Sequence, residues 1–201
     1  MDLVIVRHST SLSNGADLIS GADNDVRLSD AGVAYAKKVR GLYDWDRFDA
    51  VYASPMIRAI QTAAILTNHR DYVQYDARIQ EMNFGKWEGL SATPFRTEHP
   101  TAFDYAGMFS AEYSKFAPQA ESYAELVARC DSFLTTLKQQ HPSDAVLVVC
   151  HGFTTRALFA AALHADVYAF TAVNNVALNE LHLDPDDNFR ARILSFNQVL
   201  A

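Results

Sequence analysis

Arg7-His8, His151 and Arg58 are the residues of this chain best suited to act together in chemistry. Arg7-His8 follows the apolar run Leu3–Val6, and His151 follows Ala145–Val149 and Cys150. Arg58 comes shortly after Ser54-Pro55, which closes the short apolar run Ala50–Ala53. Two arginines and two histidines make a poor metal site, because arginine cannot ligate and its charge opposes a cation. A His/His site would also want Asp, Glu or Cys close by. No metal and no cofactor is therefore expected. The same set suits phosphate: guanidinium forks match its oxygens in pairs and stay charged at any working pH, and imidazole can be a nucleophile towards phosphorus. Each residue alone says little. A histidine after a strand is commonly a loop or core residue. Arg58 by itself reads as a solvated helix residue, off the Ile57/Ile60/Ala64 stripe. The information lies in their arrival at equivalent places, the ends of apolar runs.

Those runs and the periodic segments between them define the elements that must position the set. Leu3–Val6 and Ala50–Ala53 read as strands, Val73–Tyr75 as a weak one, and Ala145–Val149 as a strand buried on both faces. Ser29-Asp30 opens a helix over Ala31 to Tyr43, and Ser54-Pro55 supplies a capping hydroxyl and then proline for a helix to about Thr67. Longer helical patterns run from Ser122 to Gln140 and from His151-Gly152 to about Leu163. Ser9 to Asn24 is a polar, glycine-containing stretch, and Arg78 to Gly89 reads as loop. Val176–Leu183 and Arg190–Phe196 are two late strands joined by the turn-rich Asp184–Asn188, too close for a helical crossover. Alternating strands and helices predict an α/β fold: a three-layer αβα sandwich with a mostly parallel central sheet and one antiparallel edge. Residues 91–120 break the alternation and are expected to form a small helical or irregular cap insertion in a single domain spanning 1–201. In such folds ligands bind beyond the carboxyl ends of the strands, where Arg7, His8, Arg58 and His151 fall.

Composition narrows the function classes. Half of the chain is apolar (49%) and a fifth charged (20%), which is globular. The 17 basic against 24 acidic residues give a net charge of −7, which argues against a nucleic-acid or anionic-membrane partner. A few arginines in a cleft can still set a positive local sign for a small anion. No apolar run approaches the ~20 residues of a membrane span. No charged segment followed by an apolar one opens the sequence, so a cytoplasmic protein is expected. Cys130 and Cys150 sit in apolar patterns and read as buried thiols. Oligomeric state is open.

Val-Arg-His-Ser at 6–9 resembles the Arg-His-Gly signature of the histidine phosphatase (phosphoglycerate mutase-like) superfamily. Asn14, Leu28–Gly32, Ser54 with Arg58-Ala59 and Gln61–Ala63, Glu81 with Phe84-Gly85 and Trp87–Gly89, Glu121-Ser122 and Val149–Gly152 follow in that family's order, over nearly the whole chain. The resemblance implies a phosphohistidine mechanism. His8 would attack phosphorus, Arg7, Arg58 and His151 would grip the non-bridging oxygens, and Asn14 would be an accessory. Glu81 would protonate the leaving oxygen and then serve as base for water. Glu88 competes on the same loop, and Glu81 is chosen by the resemblance alone. An alkoxide leaves poorly without an acid, and Phe84 and Trp87 are the neighbours expected to bury it. His8 must keep its attacking nitrogen unprotonated, which Arg7 and Arg58 would favour.

The chain departs from the pattern at Ser9, where glycine is usual, and at Ala120. A hydroxymethyl group beside the nucleophile would narrow the space there and is expected to be tolerated. Hydrolysis of a small-molecule phosphate ester is favoured over mutase-type transfer, which needs extra basic residues for a second phosphate. Residues 91–120 carry only Arg96 and Lys115 against Glu98, Asp104 and Glu112. Their six aromatics, Phe95, Phe103, Tyr105, Phe109, Tyr113 and Phe116, read as a small satellite core or as an apolar wall for the ester. A regulator that binds phosphorylated ligands without turnover is the third reading, against which the His8/Glu81 pair stands.

Overall fold

A computed structural model describes residues 1–14, 18–22, 25–68 and 72–200. Of the polar stretch expected over Ser9 to Asn24, residues 15–17, 23 and 24 lie outside this set. Six strands form one sheet: β1 (Asp2–Arg7), β2 (Ala50–Ala53), β3 (Val73–Tyr75), β4 (Ala145–Cys150), β5 (Leu178–Asp184) and β6 (Arg190–Gln198). Their order is β3-β2-β4-β1-β5-β6. The pairs β3–β2, β2–β4 and β4–β1 are parallel, while β1–β5 and β5–β6 are antiparallel. Among the described residues the α-helices are α1 (Asp30–Arg40), α2 (Ile57–Leu66), α3 (Ala92–Glu98), α4 (Tyr123–Gln140) and α5 (Gly152–Leu163). This is the αβα layering expected, with its antiparallel edge. Among the described residues no helix is long and apolar enough to cross a membrane.

Side-chain alternation in the strands divides the core. Leu3 and Ile5 of β1, with Val146 and Val148 of β4, pack with α4 and α5. Val4, Val6, Leu147 and Val149 point the other way, towards α1 and α2. Apolar residues on both faces are why β1 and β4 read as continuous runs. The 91–120 segment is α3 plus short 3₁₀ turns. Its aromatics are not a satellite: Phe109 and Tyr113 are continuous with the α4/α5 core, with Phe95, Phe103 and Phe116 packed against it. Trp87 stacks on Phe95 at 4.2 Å, and Tyr105 is fully exposed. Both cysteines are buried, and burial pushes the Cys150 thiol up to about 12.

Helix starts follow capping chemistry in two cases and not in a third. Ser29 caps α1 by accepting from the Gly32 N–H. Ser122 and Glu125 form a reciprocal capping box on α4. Ser54-Pro55 does not begin α2: the helix starts at Ile57 behind Met56, with no side-chain cap. Ser54 has another partner, described below. α1 ends at Arg40, short of Tyr43, where the Gly41 N–H returns to Lys38. β5 begins at Leu178 and not at Val176, because Val176 takes a left-handed φ of 53°. That conformation is strained for a β-branched residue. Val176 is held there by its N–H donating to the Arg7 carbonyl at 2.9 Å.

Candidate active site

Placing β4 between β2 and β1 sets three strand ends side by side. The His8 N–H donates to the Cys150 carbonyl at 2.8 Å, and the Ser54 N–H to the Val149 carbonyl at 2.9 Å. His8 and His151 thereby meet with ring centroids 5.1 Å apart. His8 is 3% exposed. Its Nδ1 lies 2.7 Å from the Ser9 carbonyl, which can only accept, so Nδ1 carries the proton. Arg58 Nε donates to His8 Nε2 at 3.2 Å, so Nε2 presents a lone pair. Two partners on opposite sides of the ring thus fix one tautomer. Burial first, then the charges of Arg7 and Arg58, hold the His8 pKa well below the usual histidine value. Burial is thus a larger cause than the arginines on which the sequence argument relied.

His151 is fully buried, and burial followed by the nearby His8, Arg58 and Arg7 also drives its pKa well down. Its Nε2 lies 2.8 Å from Ser54 Oγ, which accepts from the Met56 N–H at 3.3 Å. In the tautomer in which Ser54 Oγ donates to Nε2, the imidazole N–H sits on Nδ1. That Nδ1 is buried and has no hydrogen-bond partner. Arg7 Nε is likewise buried and unpartnered, while its Nη1 donates to the Val173 carbonyl at 2.6 Å. In that tautomer Arg7 Nε and His151 Nδ1 are two buried donors without acceptors, at the ends of adjacent strands, and suit an anion with several oxygens.

Ser54 was legible as a cap but acts as the orienting partner of His151. Ser54→Ala is expected to lower kcat about tenfold, the scale of one net hydrogen bond or slightly more. ¹⁵N NMR should show His151 shifting from the Nδ1–H tautomer to a mixture; an unchanged tautomer would remove Ser54 from this role.

Arg58 is 1% exposed, not solvated as its helix position alone implied. Besides His8 it holds the Gly21 carbonyl through Nη2 at 3.1 Å. Asn14 is exposed and lines the cavity; its Oδ1 is taken by the Ser11 N–H and hydroxyl at 2.8 and 2.9 Å. Only its amide donor remains, which fits an accessory position. The Ser9 hydroxyl donates to the Gly32 carbonyl of α1 at 2.7 Å and its N–H to Thr62 Oγ1 at 3.0 Å. The extra group is therefore tied to α1 and does not crowd His8.

Glu81 is 6% exposed. Its carboxylate accepts from the N–H groups of Met82, Phe153 and Thr154 and from the Thr154 hydroxyl, at 3.0 to 3.3 Å. Two of these belong to the first turn of α5, where N–H groups lack helical partners and favour an anion. Phe84, expected to bury it, lines the same cavity as Glu81, and with Trp87 it packs in the aromatic cluster with Phe109 and Phe95. The loop behind Glu81 is clamped by Arg129, which donates to the carbonyls of Arg78, Gln80 and Glu81 and pairs with Glu121 at 2.6 Å. Glu88 accepts from the N–H groups of Gly21 and Phe84, so it braces two loops. Sequence reasoning missed Arg129 and Asn175, whose side-chain amide donates to the His8 carbonyl at 2.7 Å. Nothing in their local patterns marks them, since most of their partners are backbone carbonyls far along the chain.

Arg7, Asn14 and Glu81 line a cavity of about 430 Å³, walled by Phe84, Phe103, Phe109 and Phe153. His8, Arg58 and His151 are buried beside it rather than in its lining. Both histidines are held neutral when folded but take up protons below about pH 6.5 when unfolded. The unfolded chain then binds more protons, so stability should fall as pH drops below about 6.5, by up to about 1.4 kcal/mol per unit for each histidine. Urea midpoints between pH 7.5 and 5.5 should show this slope, and His151→Asn should flatten it. A slope unchanged by that substitution would contradict the assignment.

Neutral imidazole at a strand end, among guanidinium groups and beside a buried carboxylate, is the equipment of an α/β enzyme that handles phosphoryl groups. The model of the histidine phosphatase superfamily (branch 1) matches residues 3–197. Phosphoserine phosphatase 1 of Hydrogenobacter thermophilus is 26% identical over 189 residues, 92% of this chain and 88% of that protein. The metal-independent phosphoserine phosphatase of Arabidopsis thaliana is 30% identical over 189 residues, 90% of this chain and 76% of that protein. Mycobacterial glucosyl-3-phosphoglycerate phosphatase superimposes with a TM-score of 0.79 at 25% identity, over 98% of this chain and 99% of that one. The chain belongs to the histidine phosphatase superfamily. It is a phosphatase of small phosphate esters.

Proposed function

We propose that the chain hydrolyses small phosphomonoesters through phosphorylated His8. The observation that carries this reading is the fixed tautomer of His8, with Nδ1–H tied to Ser9 and the Nε2 lone pair facing Arg58. Arg58 exchanges Nε2 for a phosphate oxygen as the ester enters. Arg7 Nε and His151 Nδ1 supply the two further donors, and Asn14 assists from the cavity rim. Nε2 then attacks phosphorus in line, and the ester P–O bond breaks. Glu81 takes up a proton as the ester binds and gives it to the departing oxygen. The resulting carboxylate takes a proton from water as that water attacks phospho-His8; the P–N bond breaks, releasing phosphate and neutral imidazole. Catalysis here is positioning plus charge stabilisation by guanidinium groups.

Residues 91–120 serve as the cap, with Phe103 and Phe109 facing the organic part of the ester, in a single catalytic unit. A cytoplasmic setting is part of this reading, and the two buried free thiols accord with it. The test is phosphate release from 4-nitrophenyl phosphate in the presence of chelator, followed by acid quenching of a single turnover. Release together with an acid-labile, base-stable phosphoprotein is expected. Chelator-sensitive release, or an acid-stable adduct, would overturn the mechanism. Transfer in place of hydrolysis would appear as 2-phosphoglycerate from 3-phosphoglycerate supplied with its bisphosphate.

A further inference from the structure

We propose that the substrate carries a carboxylate besides its phosphate, and that Arg156 of α5, assisted by Arg96 of α3, receives it. This rests on the phosphatase reading above and narrows the substrate class. Arg156 lines the cavity and is 2% exposed. Its partners are all neutral: Nε donates to the Phe170 carbonyl at 2.8 Å, Nη2 to the Val167 carbonyl at 3.2 Å, and Nη1 weakly to the Tyr123 hydroxyl at 3.4 Å. The rings of Tyr123 and Phe153 lie 5.7 and 5.5 Å from its guanidinium carbon. Among the described residues no carboxylate pairs with it.

That is unusual for a buried charge, which proteins ordinarily pair. It also differs from the partly buried arginines elsewhere in the molecule: Arg78 has Asp76 and Arg129 has Glu121, each at 2.6 Å. A guanidinium has five N–H groups, and the three bonds above leave one on each terminal nitrogen. A carboxylate matches such a pair of donors and supplies a single balancing charge.

Position selects which anion this is. Gly152 faces the Arg7 guanidinium, since a Cβ there would stand 3.6 to 3.8 Å from its Nε, Cζ and Cδ atoms. Arg156 is one helical turn further on the same face of α5, about 5–6 Å away. A phosphate held by Arg7 therefore leaves room for a carboxylate on a carbon near the ester oxygen. Arg96 borders the same cavity from the opposite element, held by the Gly107 carbonyl at 2.9 Å and the Phe103 face at 4.6 Å. With Arg7 the lining holds three guanidinium groups against one carboxylate, Glu81, in a chain of net charge −7. A local positive field of this kind selects doubly anionic small molecules.

The test compares 3-phosphoglycerate with glycerol 3-phosphate, which share a carbon skeleton and differ by carboxylate against hydroxymethyl. The intact protein should favour the acid about tenfold to a hundredfold in kcat/KM, chiefly through KM, the size of a charge-assisted hydrogen bond. Arg156→Gln should collapse that ratio to within about threefold, with Arg96→Gln reducing it less. Equal kcat/KM for the pair in the intact chain overturns the inference without any variant. So does a folded Arg156→Gln protein that keeps the ratio. Turnover of 4-nitrophenyl phosphate and of both members alike defeats the carboxylate inference alone. Turnover of none of the three defeats the phosphatase reading as well.

Discussion

On the proposed mechanism, replacing His8 by alanine is expected to lower kcat by about 10⁴-fold or more, because the variant lacks the nitrogen proposed to accept the phosphoryl group. The arginines and His151 still bind the ester, so KM should change far less than kcat. The acid-labile phosphoprotein should vanish altogether. This combination separates loss of the nucleophile from loss of the fold, which would raise KM and broaden thermal unfolding. The contacts that would remain support that separation, since the His8 backbone is held by Cys150 on one side and Asn175 on the other. A variant that still formed the adduct would place the nucleophile elsewhere and undo the reading of β1.

Glu81→Gln has the second largest effect and a distinct signature. Gln is close to Glu in shape but can neither give nor take the proton, and general acid–base catalysis contributes about 10²–10⁴-fold. With an alkyl phosphate both halves of the reaction should slow, and little phosphoenzyme should form. With 4-nitrophenyl phosphate the leaving group needs no proton, so phosphorylation should stay fast while attack of water on phospho-His8 slows. A burst of one nitrophenolate per active site, followed by a slow steady state, is the expected trace. Equal losses for alkyl and aryl esters with no burst would assign the acid to another group. Glu88 is a poor second choice, because Glu81 lines the cavity whereas Glu88 braces the Gly21 and Phe84 loops outside its lining.

Much of this arrangement is visible along the chain, where the physical signal is local. β1 and β4 stand out because a parallel strand covered on both faces must be apolar at every position. Ser29 and Ser122 mark helix starts because a capping hydroxyl acts within three residues. The carboxyl ends of the strands, β2 included, then point to Arg7, His8, Arg58 and His151, and the resemblance adds Asn14 and Glu81. Locality also misleads. Ser54-Pro55 has the composition of a helix start, yet its hydroxyl is drawn to His151, ninety-seven positions away. Val176 looks like strand until the Arg7 carbonyl pulls it into a left-handed turn.

The candidate residues at the strand ends, and the strands that carry them, are thus written in residue type and period. Their working states are not. Which nitrogen of His8 bears the proton depends on the Ser9 carbonyl and Arg58; the hold on Glu81 depends on the first turn of α5 and on Arg129. Arg156 lies in a helix so uniformly buried that no face pattern distinguishes it, and its lack of a carboxylate partner emerges only when α4 and the Val167–Phe170 segment pack around it. Hydrogen-bond direction and desolvation depend on atoms far apart in the chain, so they exist as properties only after the chain has packed.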